Sequence, residues 1–251
     1  PSAAPAPERA RSRESFDAVS YLHRAERDYR RGGYEVALAL YAKALREDGA
    51  RSEAWLGQVN CLIEMEELDE ARVWANKALE RFPEDAELLS AKALALAKLG
   101  EGEGAMLLAD RAVAKKTPTA YVWLARGLVL LAVNPEKHSR TCFLKAQEES
   151  PNDGFVDLRI ALGYLEQSEF PRAKDFLLRA VERDSENPLG WYSFGRCCEG
   201  LYAYGRARSC YERSLSSGPE LKDKVLEALG RLANRGLFDR VGAFFRRLGG
   251  D

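Results

Sequence analysis

From about residue 17 onward, apolar side chains recur every third or fourth position, the spacing of one buried face on an amphipathic α-helix. Ala, Leu, Glu and Arg dominate these stretches, and the β-branched alternation that marks strands does not occur. The pattern is interrupted at short intervals by turn-forming sequence: RGGY at 31–34, LGEGEG at 99–104 and NPEK at 134–137. Pro83, Pro151 and Pro219 supply further stops, because proline cannot continue a helix. The predicted elements are therefore helices alternating with tight turns. Residues 1–16, which open PSAAPAPERARSRES, have no apolar period, and a flexible Pro/Ala-rich linker or tail is expected there.

The helices repeat. Stepping by 34 residues brings Ala37, Ala71, Ala105, Ser139, Ala173 and Ala207 into one column. A second column holds Ala44, Ala78, Ala112, Ala146, Ala180 and Ser214, and a third holds Ala25, Val59, Ala93, Gly127, Ala161 and Gly195. Small residues at fixed positions are what close helix crossing requires, with the first and third columns expected to face each other within a hairpin. Larger columns fill the space around them, as with Tyr41, Phe143, Leu177 and Tyr211, or Leu62, Leu96, Leu130 and Tyr164. The prolines share one column, and Trp55, Trp123 and Trp191 share another, in which Tyr21 is a variant and Leu89 and Asp157 are departures.

A 34-residue helix–turn–helix unit with an early Trp, these small columns and a closing Pro resembles the tetratricopeptide repeat. The resemblance implies an all-α, right-handed α-solenoid. Six repeats are expected over 17–221, and a partial seventh over 222–251 whose helices, VLEALGRLANRG and FDRVGAFFRRL, would cap the last apolar face. It further implies that the first helix of each unit lines a concave face where ligands lie. In the early units Val19, Leu22 and Glu26, then Glu53, Leu56 and Asn60, then Glu87, Ser90 and Leu94 fall on that face. Units four and five place Tyr121, Leu124, Leu128, Leu131, Phe155, Leu158, Leu162 and Leu165 there, and unit six places Leu189, Tyr192 and Arg196. A contiguous apolar strip of this kind, if exposed, marks a peptide- or helix-binding surface, with Tyr192 and Arg196 fixing one end. The Lys/Asn clamp by which some family members hold acidic chaperone tails is not reproduced, since only Asn60 conforms.

Charge and candidate chemistry narrow the function further. The 251 residues carry a net charge of −1, which argues against a nucleic-acid binder, and no apolar run approaches the length of a membrane span. The two histidines, His23 and His138, are far apart and show neither metal-ligand nor nucleophile–base spacing. LGEGEGAM lies between helices rather than after a strand, so it is a turn and not a phosphate loop. Five cysteines, Cys61, Cys142, Cys197, Cys198 and Cys210, are too few and too scattered for a disulfide scaffold. They read as small core fillers in a reducing, cytoplasmic setting. The chain starts at Pro1 rather than Met, which reads as an excised or processed start. The expectation is thus a non-enzymatic binding scaffold without metal or cofactor, its partner a protein or peptide with an apolar segment. The alternatives are homo-oligomerisation through the same groove and a regulatory part of a larger protein.

Overall fold

The computed structural model describes residues 6–134 and 139–234, with side chains described from residue 17. Among these residues every regular element is a helix. The hairpins are α1 (Ala6–Arg30) with α2 (Tyr34–Glu47), α3 (Ser52–Glu64) with α4 (Leu68–Arg81), and α5 (Ala86–Lys98) with α6 (Gly102–Val113). They continue as α7 (Ala120–Val133) with α8 (Ser139–Glu149), α9 (Gly154–Glu166) with α10 (Phe170–Arg183), and α11 (Pro188–Gly200) with α12 (Tyr204–Ser217). A further helix, α13, covers 222–234 and buries Leu221, Val225, Ala228 and Leu232 against the last hairpin. It occupies the place of the first capping helix, whereas FDRVGAFFRRL lies outside the described residues. One expectation is altered: α1 begins at Ala6, so much of the segment assigned to a linker is helical, in keeping with its Ala-, Glu- and Arg-rich composition.

The period fixes the helix ends as well as the core. Asp85, Thr119, Asp153 and Asn187 stand 34 residues apart, and each side chain accepts hydrogen bonds from backbone N–H groups in the first turn of the helix it precedes. The turn inside each hairpin is equally regular. Gly32, Glu66, Gly100, Ser168 and Tyr202 all adopt positive φ, between 57° and 90°. The residue after each donates its N–H back to the carbonyl five positions earlier, as Gly33 does to Asp28 at 2.9 Å and Ala203 to Cys198 at 2.8 Å. This is the left-handed C-cap with its six-to-one hydrogen bond, repeated down the array.

The small columns do not work quite as expected. The third column faces the column of large residues on the second helix of the same unit rather than another small residue. A Cβ added to Gly127 would lie 2.4 Å from the Phe143 ring, and one added to Gly195 would lie 2.4 Å from Tyr211. Down the sequence the two columns trade volume: Val59 is paired with Ala75, Ala93 with Ala109, Gly127 with Phe143, Ala161 with Leu177 and Gly195 with Tyr211. The first unit pairs Ala25 with Tyr41, and there the next unit provides the room, since Gly57 lies under the Tyr41 ring. Each aromatic ring of the large column, Tyr41, Phe143 and Tyr211, is thus accommodated by a glycine.

The array curls until its start meets its end. Arg31 of the first hairpin turn pairs with Glu220 and donates to the carbonyl oxygens of Ser217 at 2.7 Å and Glu186 at 3.0 Å. Arg30 pairs with Asp153, its guanidinium 4.7 Å from the Phe155 ring centroid, and its carbonyl accepts from Asn187 Nδ2 at 3.1 Å. Tyr29 meets Phe155 edge-on at 5.8 Å, and Gly32 packs against Leu189 and Leu221. The first unit therefore closes on units five and six and on the start of α13. What would be an open groove becomes the interior of a ring.

The volume trade is directly testable. Gly127→Ala forces a methyl into the Phe143 ring and is expected to cost roughly 1–3 kcal/mol. Adding Phe143→Leu should return much of that loss, giving a coupling energy of about 1 kcal/mol or more in a urea-denaturation double-mutant cycle. Strict additivity of the two changes would contradict the packing described.

Candidate functional site

The interior of the ring is organised around Arg159. Its column otherwise holds His23, Gly57, Ala91, Ala125 and Ser193, so a long cation projects where the units on either side carry Ala and Ser. The side chain is 8% exposed and pairs with Glu64 of α3, tying α9 to a helix three units away. Burial works against its charge, but the neighbouring groups, Glu64 foremost, together outweigh it and the guanidinium stays cationic. The phenols of Tyr29, Tyr34 and Tyr121 stand around it, and burial pushes all three well above the ordinary tyrosine range, so they are neutral hydroxyls at physiological pH. Lys98 of α5 and Glu166 of α9 form a second tie at 2.6 Å.

Arg159 separates two spaces. On one side is a small cleft of about 40 Å³ among Glu64, Leu94, Lys98, Leu128, Leu131, Leu162 and Glu166. On the other a cavity of about 570 Å³ opens toward the beginnings of α3, α5, α7 and α9. Its walls combine Tyr29, Tyr41, Leu56, Tyr121, Leu124 and Phe155 with Asn60, Thr119 and Ser150, and with the charged Glu26, Arg30, Glu53, Glu87, Glu149 and Asp153. Several of the polar groups are fixed: Tyr121 Oη donates to Asn60 Oδ1 at 2.7 Å, Tyr41 Oη to Glu26 at 2.9 Å and Thr119 Oγ1 to Glu87 at 2.7 Å. Burial, followed by the repulsion of Asp85, Glu53 and Glu26, raises the Glu87 pKa above the usual carboxylate range, although the Thr119 hydrogen bond opposes this. The volume is within the range of small-ligand and peptide side-chain sites.

The eleven residues predicted to form an exposed strip are distributed differently. Leu158 is 1% exposed, and Leu124, Leu131, Leu165 and Leu189 are no more than 5% exposed, so they are core rather than surface. The reason is packing between neighbouring units: the first helices touch along the array, as Leu128 and Leu131 of α7 do over Gly163 of α9. Tyr121, Leu124 and Phe155 line the large cavity, and Leu128, Leu131 and Leu162 line the small cleft. Tyr192 packs on Tyr211 at 5.8 Å and Arg196 is exposed; neither lines either space. The sequence reading passed over Arg159, Glu64, Tyr29 and Arg30. The signal for Arg159 was present as a charge where the neighbouring units carry Ala125 and Ser193, but nothing local identified its partners.

Features outside the interior are structural. All five cysteines are free and buried. Cys197 donates to the Phe170 carbonyl at 3.2 Å, and burial pushes its thiol up to about 11. Asp157, standing where three other units have Trp, is fully buried and holds Arg179 at 3.2 Å, Arg183 at 2.6 Å and Gln147 at 2.6 Å. It thereby positions two arginines along a groove on the opposite surface, between α8 and α10. His23 is exposed on α1, and His138 lies outside the described residues. Among the described residues no group of His, Cys, Asp and Glu could hold a metal ion, and no helix is long and apolar enough to cross a membrane.

Residues 29–95 and 75–121 each match a family model of the tetratricopeptide repeat. No curated protein sequence matches the chain. Solved structures resemble it at low identity. The human IFIT1 dimer with PPP-AAAA superposes with a TM-score of 0.56 at 17% identity, covering 72% of this chain and 46% of that one. The APC/C hetero-tetramer Cut9–Hcn1 gives 0.50 at 14% identity, covering 86% and 49%. YrrB, described as a protein of the same repeat type with an unusual peptide-binding site, gives 0.42 at 17% identity, covering 73% and 97%. The chain thus spans about half the length of the IFIT1 and Cut9–Hcn1 chains it matches.

Two outcomes are expected from the electrostatics. Arg159→Met strands Glu64 in the interior and should cost about 3 kcal/mol of unfolding free energy, most of which the further change Glu64→Leu should restore. Glu87→Gln should raise the melting temperature at pH 7. Because the folded-state pKa of Glu87 is raised, its ionised form opposes folding, and wild-type stability falls as pH rises through that pKa. The advantage of the variant should therefore shrink as pH is lowered toward the ordinary carboxylate range, as measured by melting curves across pH.

Proposed function

We propose that this chain, whose residues 29–95 and 75–121 match models of the tetratricopeptide repeat, is a non-enzymatic interaction scaffold that captures a segment of a partner protein in the cavity inside its ring. The observation that carries this reading is the cavity itself. About 570 Å³ stands open among the aromatic and polar side chains at the beginnings of the first helices. The walls suit one chain segment. Apolar contact comes from Leu56, Leu124 and Phe155, and hydrogen-bonding groups come from Asn60, Thr119 and Tyr121.

The reading differs from an open-groove mode of capture. A long amphipathic helix needs a continuous exposed groove, and here most of the groove leucines are already committed to the core. A short extended segment entering at the beginnings of α3, α5, α7 and α9 fits the space better. A nucleic-acid ligand is disfavoured, since carboxylates outnumber guanidinium groups along the walls and would repel a phosphate backbone.

The test is capture from a displayed library of random peptides by the full chain. Selective enrichment is expected. Ala120→Trp fills the cavity mouth from the half-buried start of α7 and should abolish capture without loss of helicity. Equal enrichment by the variant would place binding elsewhere, and failure of the wild-type chain to enrich any peptide would reject the proposal.

A further inference from the structure

The same cavity carries information about the chemistry of its occupant, an inference that rests on the reading above. Five carboxylates line it, from Glu26, Glu53, Glu87, Glu149 and Asp153, against two guanidinium groups, from Arg30 and Arg159. Both cations are already used: Arg30 pairs with Asp153, and Arg159 pairs with Glu64 behind the wall. Four carboxylates, those of Glu26, Glu53, Glu87 and Glu149, are left facing the space without a cation among the described residues. The starts of α3 and α5 offset part of the charge on Glu53 and Glu87, because helix N-termini carry partial positive charge. Glu149 is at the end of α8, where the dipole adds to the negative charge. At Glu87 burial is the leading influence, with the repulsion of Asp85, Glu53 and Glu26 behind it, and the pKa is raised.

A second, independent feature points to a ligand. Tyr29 is 5% exposed and Asn60 6% exposed, and both line the cavity. The Tyr29 hydroxyl makes no hydrogen bond among the described residues and is accessible from the cavity rather than sealed in the core. Asn60 uses its Oδ1 to accept from Tyr121, while its amide nitrogen is likewise unused among the described residues. Two donors in a recess that small would suit acceptors such as the carbonyl oxygens of an extended peptide backbone. Negative charge at the mouth and unused donors in the wall call for a ligand that is cationic in its side chains and offers acceptors along its main chain.

We propose that the cavity selects a peptide segment carrying lysine or arginine, whose cation is held between Glu53 and Glu87 while its backbone carbonyls accept from Asn60 and Tyr29. The aromatic walls contribute as well, since Tyr121 and Phe155 line the space and add apolar contact for the alkyl stem of the cation.

The test reads the composition of the peptides that the full chain enriches from the random library, then measures one enriched peptide by fluorescence anisotropy. Lysine or arginine should be over-represented at one position. Glu53→Gln with Glu87→Gln, isosteric changes that preserve the Thr119 hydrogen bond, should weaken the synthesised peptide about tenfold. Raising NaCl from about 50 mM to about 500 mM should weaken the wild-type complex by a similar factor and the variant far less. Asn60→Ala should weaken binding without changing the salt dependence. Enrichment of peptides that lack basic residues, or affinity indifferent to both glutamates, overturns the charge selection while leaving capture by the cavity standing. Absence of any enrichment overturns both.

Discussion

The meeting of α1 with α9, α11 and the start of α13 is the constraint on which the rest of the interior depends. A solenoid unit contacts only its neighbours, so its stability is ordinarily a sum of local terms. Here Arg30 and Arg31 reach across to Asp153, Glu186, Ser217 and Glu220, and these contacts join the first unit to the fifth, the sixth and the cap. Closure turns the face that an open array exposes to solvent into a low-dielectric interior. A cation can persist there only with a counter-charge, and Glu64 meets that need for Arg159. The cavity is the space left over where five first helices, α1, α3, α5, α7 and α9, converge beside that pair.

The repeat architecture was legible because it is written locally and many times. Each helix start, cap and turn recurs at the same interval, so that Asp85, Thr119, Asp153 and Asn187, or Gly32, Glu66, Gly100, Ser168 and Tyr202, reinforce one another. The binding face was legible only in part. Asn60, Glu53 and Glu87 could be assigned to the inner side of the array from register alone, and Tyr121, Leu124 and Phe155 do line the cavity. Whether Leu158 or Leu165 is exposed depends on curvature, which accumulates from small rotations at every junction and is not encoded at any one position. The Arg159–Glu64 pair spans 95 residues, and no periodic argument could have joined the two.

Departures from the period proved as informative as the period. Asp157 in a column of tryptophans exchanges an aromatic wedge for a buried carboxylate that organises Gln147, Arg179 and Arg183. Trp55 and Trp191, by comparison, each donate the indole N–H to a carbonyl oxygen six residues earlier, at 3.1 Å and 2.8 Å, tying down the loop that precedes their helix. The trade between Gly127 and Phe143, or Gly195 and Tyr211, follows the same logic on a smaller scale. Each unit keeps the shape of the repeat while distributing its volume differently.

The contact between Arg31 and Glu220 has a consequence for how such a chain could change over generations. Open repeat arrays lengthen and shorten by duplicating or deleting whole units, because an extra unit merely extends the stack. In a ring that closes on itself, one added or lost unit of 34 residues would carry Arg31 past Glu220, Ser217 and Glu186 at a stroke. The number of repeats is then fixed by geometry, and variation is confined to substitution within units. The closure therefore sets the copy number of the motif as firmly as a seam sets the girth of a barrel.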